Sequence, residues 1–195
     1  MRIIFVVALA AILIFVVWFS WFVYQPAMID KIDNLNQQNK QSTMKLESTA
    51  FLHSQLIPLP HTCDGPDVSP PLRISEIPRD AKSIALIMDD PDAIKPAGKV
   101  WDHWVIFNIP VPESGVLEIF ENSEPNGIHG VGTSKNTGYH GPCPPDGEHR
   151  YFFKAYALDT VLGLAEGATK GGVERAMEGH VVGQAELVGR YKRKQ

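Results

Sequence analysis

The sequence predicts a mainly β domain, two packed sheets with one or two peripheral helices, preceded by a single transmembrane helix. Three observations carry that reading. SIALIM, WDHWVIFNIP and HRYFFKAYALD have strand composition, as a continuous apolar run, an alternating run and an aromatic-rich run. Pro, Gly, Asn and Asp punctuate the intervals between them. Only ATKGGVERAMEGH in the body of the chain reads as a helix, while the amino terminus is apolar on every face.

The amino-terminal run, MRIIFVVALAAILIFVVWFSWFVYQ, is interrupted only by Ser20 between residues 3 and 24. At about 1.5 Å per residue a helix there crosses a hydrocarbon core of about 30 Å. A cleaved signal has a shorter apolar region, about 7–15 residues, and ends at a small-residue site. Here Trp18, Trp21 and Tyr24 follow instead, as in an interfacial aromatic belt. Residues 1–24 therefore read as an uncleaved anchor. Arg2 lies on one flank, and on the other Lys31 is offset by Asp30 and Asp33. The positive-inside rule then keeps the amino terminus inside and puts the body on the extracytoplasmic side. Residues 25–43 are polar, rich in Asn and Gln, and read as a linker; the short stripe Ile29, Ile32, Leu35 does not continue. The folded domain spans 44–195.

Within that domain, 83–88 is a continuous apolar run suited to a buried strand. Residues 101–110 alternate, so that Trp101, His103, Val105, Phe107 and Ile109 share one face and Asp102, Trp104, Ile106 and Asn108 the other. The helix at 168–180 has Thr169 as its N-cap and Gly179 as its stop. AELVGRY is a short last strand. With 195 residues, 44% of them hydrophobic, the chain can bury one core. A net charge of −4 with no basic patch excludes a nucleic-acid footprint.

Four segments hold residues able to do chemistry. CDGPDVSPPL contains Cys63, Asp64, Asp67 and Ser69; MDDPDA places Asp89, Asp90 and Asp92 after the apolar run; WDHW sets His103 inside a strand; and GPCPPDGEHRY delivers His149. Each has a plain reading by itself: a turn for Asp-Pro-Asp, a satisfied core histidine for His103, a loop histidine for His149. Together they describe a small polar cup. Histidines donate hydrogen bonds, glycine amides form an anion-binding concavity, and prolines limit the entropy lost on docking. Such a cup suits a small phosphate ester. Two rivals stay open: Asp90, His103 and His149 as a two-His-one-carboxylate metal site, and Cys143 with His149 as nucleophile and base. The cysteines have a competing use, since Cys63 and Cys143 in an exported domain form a candidate disulfide between two Pro-rich loops.

TCDGPDVSPPL, DDPDA, WDHWVIFNIP, GPCPPDGEHRYFFKAYALD and ATK…AMEGHVVGQAELVGRYKR, in this order, resemble the phosphatidylethanolamine-binding protein family, also called Raf kinase inhibitor-like, in its bacterial and archaeal branch. The resemblance implies a Greek-key β-sandwich with peripheral helices and an anion pocket at one end. Carried over by motif, the pocket residues are Asp90, His103, Trp101, His149 and Tyr151, with Gly141 and Pro142 as one wall. Ile94 stands where many members have a proline. The expected function is a membrane-tethered binding module for a small phosphorylated or carboxylated ligand, such as a phosphoethanolamine-like lipid headgroup. A protein partner, a kinase or protease inhibited through the pocket edge, is the second expectation, and a metal- or Cys-dependent hydrolase the third. The resemblance implies no cofactor and no catalytic activity.

Overall fold

The structure, a computed structural model, describes residues 44–193. The expected anchor (1–24) and linker (25–43) lie outside the described residues. Among the described residues no helix is long and apolar enough to cross a membrane.

Two sheets form the domain. The larger runs, edge to edge, β2 (Gln55–Leu56), β9 (Val181–Lys192), β8 (Glu148–Leu158), β4 (Ser83–Asp90), β5 (Trp101–Pro110) and β7 (Ile128–His129). Every pairing in it is antiparallel except β2 with β9. The smaller sheet is β1 (Lys45–Glu47), β3 (Leu72–Ser75) and β6 (Leu117–Ile119), in that order. The last strand is longer than AELVGRY because it pairs with β8 from Leu158↔Val181 to Glu148↔Lys192.

All eight residues of β4 are buried, which explains its unbroken apolar run. It is central and covered on both faces. Ile84, Leu86 and Met88 pack under the small sheet with Leu46, Leu72 and Ile74. Ala85 and Ile87 point the other way, into a second cluster with Val173 and Met177. Those two residues lie on α2 (Lys170–Met177), where the i, i+4 spacing aligns them on one face. Thr169 Oγ1 accepts the Gly172 N–H (3.2 Å) as N-cap, and Gly179, at φ +78°, follows the end of the helix. Burying each such aliphatic side chain contributes about 1.5–3 kcal/mol.

Strict alternation fails in β5, at two bulges. Met88 opposes Trp104 while Asp89 opposes Asp102, which leaves His103 as an extra residue. A second bulge falls at Asn108, whose φ is +56°. Asn108 fastens the following loop through both amide atoms, Nδ2 donating to Leu162 O and Oδ1 accepting from Leu162 N. In consequence Val105 and Phe107 face α2, whereas Ile109 joins Trp104 and Ile106 under the small sheet. His103 turns to meet Tyr151 edge-to-face, ring centroids 5.3 Å apart.

Candidate functional site

The antiparallel register brings one end of each of three central strands together. Asp90 ends β4 opposite Trp101, the first residue of β5, and Asp89 pairs with Phe152 near the start of β8. Side-chain parity along β4 then separates the two adjacent carboxylates. Asp89 points to the α2 face, where the Lys154 and Lys170 ammonium groups lie 2.9 and 2.6 Å from it. Asp90 points to the opposite face and lines a cavity of about 240 Å³.

Asp90 also shapes one wall of that cavity. Its Oδ1 accepts the N–H groups of Asp92 (2.8 Å) and Ala93 (3.1 Å), capping the 3₁₀ turn Pro91–Ala93. The single helical turn α1 (Ile94–Ala97) continues from it, and Ala93, Pro96 and Ala97 face the cavity. Asp92 turns outward and grips Arg150, which holds its carboxyl below the usual range. Ile94 is exposed, outside the cavity lining.

The second wall is the 140–145 loop. His140, Cys143, Pro144 and Pro145 line the cavity, but Gly141 and Pro142 do not. The two residues expected as the wall sit one layer behind it, for reasons of packing. A Cβ on Gly141 would stand 2.3 Å from Asp67 Oδ1 and 2.6 Å from His61 O. The Gly141 N–H donates to that same Asp67 Oδ1 (2.8 Å), and Pro142 O accepts the Cys63 N–H (3.1 Å). A disulfide joins Cys63 to Cys143, with Cα atoms 5.4 Å apart. Gly141 and Pro142 anchor the loop, and the residues after them form the surface.

Three polar side chains give the cavity its character. His149 is buried and stands behind Asp90, outside the lining. Its Nδ1 lies 2.7 Å from Asp90 Oδ2, and its Nε2 3.3 Å from Asp146 Oδ1. Ionised carboxylates only accept, so the imidazolium alone makes both bonds. Burial pulls the His149 pKa down, but the two carboxylates outweigh it and the net shift is upward. Burial also raises the Asp90 carboxyl, against the bonds from His149 and the two amides.

His103 behaves oppositely. Burial lowers its pKa to about 4, so the ring is neutral at neutral pH. Its Nδ1 lies 2.7 Å from His140 O. A carbonyl only accepts, which assigns the proton to Nδ1 and leaves Nε2 as an acceptor. Tyr151, wholly buried, lines the cavity beside it. Burial, then Asp90 and Asp92, raise the Tyr151 pKa, so the phenol keeps its proton. The Cys143 backbone N–H favours its oxygen weakly, without reaching hydrogen-bond geometry, and the O–H itself has no acceptor.

The cavity thus gathers Asp90, Trp101, His103 and Tyr151 of the expected set. The sequence reading missed His140, which supplies the carbonyl that orients His103, and Asp146, the second partner of His149. The spacing Asp-x-x-His in PDGEH was the available signal for Asp146; nothing local pointed to His140. Among the described residues no group of three His, Cys, Asp or Glu side chains is placed to hold a metal. Asp90, His103 and His149 do not form such a group here: His149 has both ring nitrogens on carboxylates, of Asp90 and Asp146, and stands outside the lining that holds Asp90 and His103. Both cysteines of the chain are in the disulfide, so Cys143 is no free nucleophile in this structure.

Comparison with known proteins agrees with this architecture. The phosphatidylethanolamine-binding protein family profile matches residues 47–192. A UPF0098 protein of Methanothermobacter thermautotrophicus is 52% identical over 153 residues, covering 77% of this chain and 99% of that protein. Its counterpart in Chlamydia trachomatis is 43% identical over 154 residues, 77% of this chain and 99% of that one. The crystal structure of a phosphatidylethanolamine-binding protein homologue from C. trachomatis superposes with a TM-score of 0.72 at 41% identity, over 78% of this chain and 99% of that one. E. coli YbcL, described as a member of the mammalian PEBP family, gives 0.70 at 27% identity, over 77% of this chain and 99% of that one. The chain belongs to the phosphatidylethanolamine-binding protein family and has its mainly β fold with few helices.

Proposed function

We propose that this domain is a binding module for a small oxyanion-bearing ligand, a phosphate ester or a carboxylate, seated in the cavity between α1 and the 140–145 loop. The observation that carries this reading is the Tyr151 O–H, buried at the cavity without an acceptor. An unsatisfied buried polar group costs about 1–3 kcal/mol, and a ligand oxygen would relieve it. The cavity, about 240 Å³, is below the usual range for drug-sized ligands and suits a headgroup-sized one. Titrating the full-length protein in detergent with phosphoethanolamine, while following the histidine and tyrosine ring signals by NMR, tests the reading. Saturable shifts at His103 and Tyr151, reduced in Tyr151→Phe, are expected. No saturable shift at either ring would refute it.

Residues 1–24 read as a single-span anchor and 25–43 as its linker, with the domain on the extracytoplasmic side. A disulfide at the cavity rim supports an oxidising compartment. Alkaline extraction of membranes tests the anchor. The full chain should stay in the pellet and a chain lacking 1–24 should not; release of the full chain would refute anchoring.

A further inference from the structure

The hydrogen-bonding capacity left open at the cavity specifies more than an anion. Both carboxylate oxygens of Asp90 are engaged, Oδ1 by two amides and Oδ2 by His149. No lysine or arginine lines the cavity. Beside the Trp101 indole and the His140 ring, which also line the cavity, the groups left to meet a ligand are the Tyr151 O–H and the Nε2 of His103. The rings that carry them stand with centroids 5.3 Å apart, within reach of one small head group.

The tautomer of His103 is held by a single peptide group. The His140–Gly141 peptide accepts the His103 Nδ1–H at its carbonyl (2.7 Å) and donates its N–H to Asp67 Oδ1 (2.8 Å). A carboxylate bonded to the amide N–H polarises the same peptide and strengthens its carbonyl as an acceptor. The carbonyl, supported in this way by Asp67, holds the His103 proton on Nδ1 and leaves a lone pair at Nε2. The charged and titratable groups around the ring oppose one another: His140, stacked on it, and His149 disfavour its protonation, while Asp89 favours it.

A fully ionised oxyanion offers only acceptors and would set an anionic oxygen against the Nε2 lone pair. A ligand oxygen that still bears a proton fits both groups.

We propose that the cavity selects oxyacids in a proton-bearing form, above all a phosphate monoester as its monohydrogen monoanion, whose P–O–H donates to His103 Nε2 while Tyr151 Oη donates to a second phosphate oxygen. This rests on reading the cavity as a ligand site. If the bridging proton moves to Nε2, the pair becomes imidazolium and dianion, with the same number of protons bound. Phosphodiesters and sulfate esters match the monoanion in charge and nearly in shape, but carry no such proton.

The test is an NMR titration of the full-length protein with methyl phosphate, methyl sulfate and dimethyl phosphate, from about pH 5 to about pH 8, a range that brackets the second phosphate ionisation near pH 6. At the acid end methyl phosphate should bind at least about tenfold more tightly than either analogue, the worth of one hydrogen bond together with the repulsion it replaces. Above its second pKa the apparent affinity of methyl phosphate should fall, approaching about tenfold per pH unit, while the analogues show no such fall. Equal affinity for all three overturns the proposal. So does a pH trend shared by methyl sulfate, because it would trace to the protein's own groups, the Asp90–His149–Asp146 set included. No saturable shift with any probe at any pH overturns the ligand-site reading itself.

Discussion

Replacing Tyr151 by Phe should raise stability while weakening ligand binding, because it removes one atom from a place where that atom is a burden in the empty protein. The ring is fully buried and packs edge-to-face with His103, contacts that phenylalanine keeps. The O–H has no acceptor, and leaving such a buried donor unsatisfied costs about 1–3 kcal/mol. Allowing for the dispersion lost with one oxygen, the net gain is about 1 kcal/mol. In a chain of this size that corresponds to a melting temperature higher by about 2–4 °C. Differential scanning calorimetry without ligand, paired with a phosphoethanolamine titration, reads both effects. Affinity should fall by about tenfold, the worth of one hydrogen bond to a charged acceptor. A lower melting temperature together with unchanged affinity would refute the reasoning, since the hydroxyl would then already have a partner in the free protein.

Three further outcomes follow from the same geometry. Gly141→Ala forces a Cβ to 2.3 Å from Asp67 Oδ1 and should destabilise by about 3 kcal/mol through overpacking and loss of the Asp67 bond, measured by urea denaturation. The two histidines should shape opposite limbs of the pH–stability curve. His103, held at about 4 against an ordinary 6.5, costs roughly 3 kcal/mol as pH falls across that interval, and His103→Gln should flatten that limb. The contribution of His149, whose pKa is raised, is fully present below the ordinary 6.5 and is lost as pH rises through the raised value; His149→Gln should flatten that side. Reducing the Cys63–Cys143 bond, which spans 80 residues, should cost at most about 4.5 kcal/mol by loop entropy and loosen the cavity wall, read as faster amide exchange at Cys143 and Asp146.

Local patterning was a good guide wherever neighbours in sequence settle the matter. Thr169 and Gly179 bracket α2 because caps act within one turn. The apolar run at 83–88 reads as a buried strand because both its faces must be covered. It was a poor guide in β5, where bulges at His103 and Asn108 shift the side-chain parity that strict alternation assumes. A bulge is set by the partner strand and by the loop that Asn108 ties down, and neither is written in the ten residues themselves. The short strands β1, β2, β3, β6 and β7 also escaped notice, since two to four residues carry too little of a period.

By itself the sequence determined the long central strands and the longer helix; Asp90 and His103 stood out by their positions in the pattern, Trp101 and Tyr151 by family likeness. Only the tertiary structure assigned the roles. The three acidic groups of DDPDA look interchangeable in one dimension, yet Asp89 holds two lysines on one face of the sheet, Asp90 faces the cavity, and Asp92 clamps Arg150 outside it. Strand parity and the cap of the 3₁₀ turn make that division. Gly141 and Pro142 became anchors instead of a wall because Asp67 and Cys63, more than seventy residues earlier in the chain, are folded against them. Burial and hydrogen-bond partners are contributed from distant parts of the chain, and they decide which groups stay charged, which stay neutral and which are left open to a ligand.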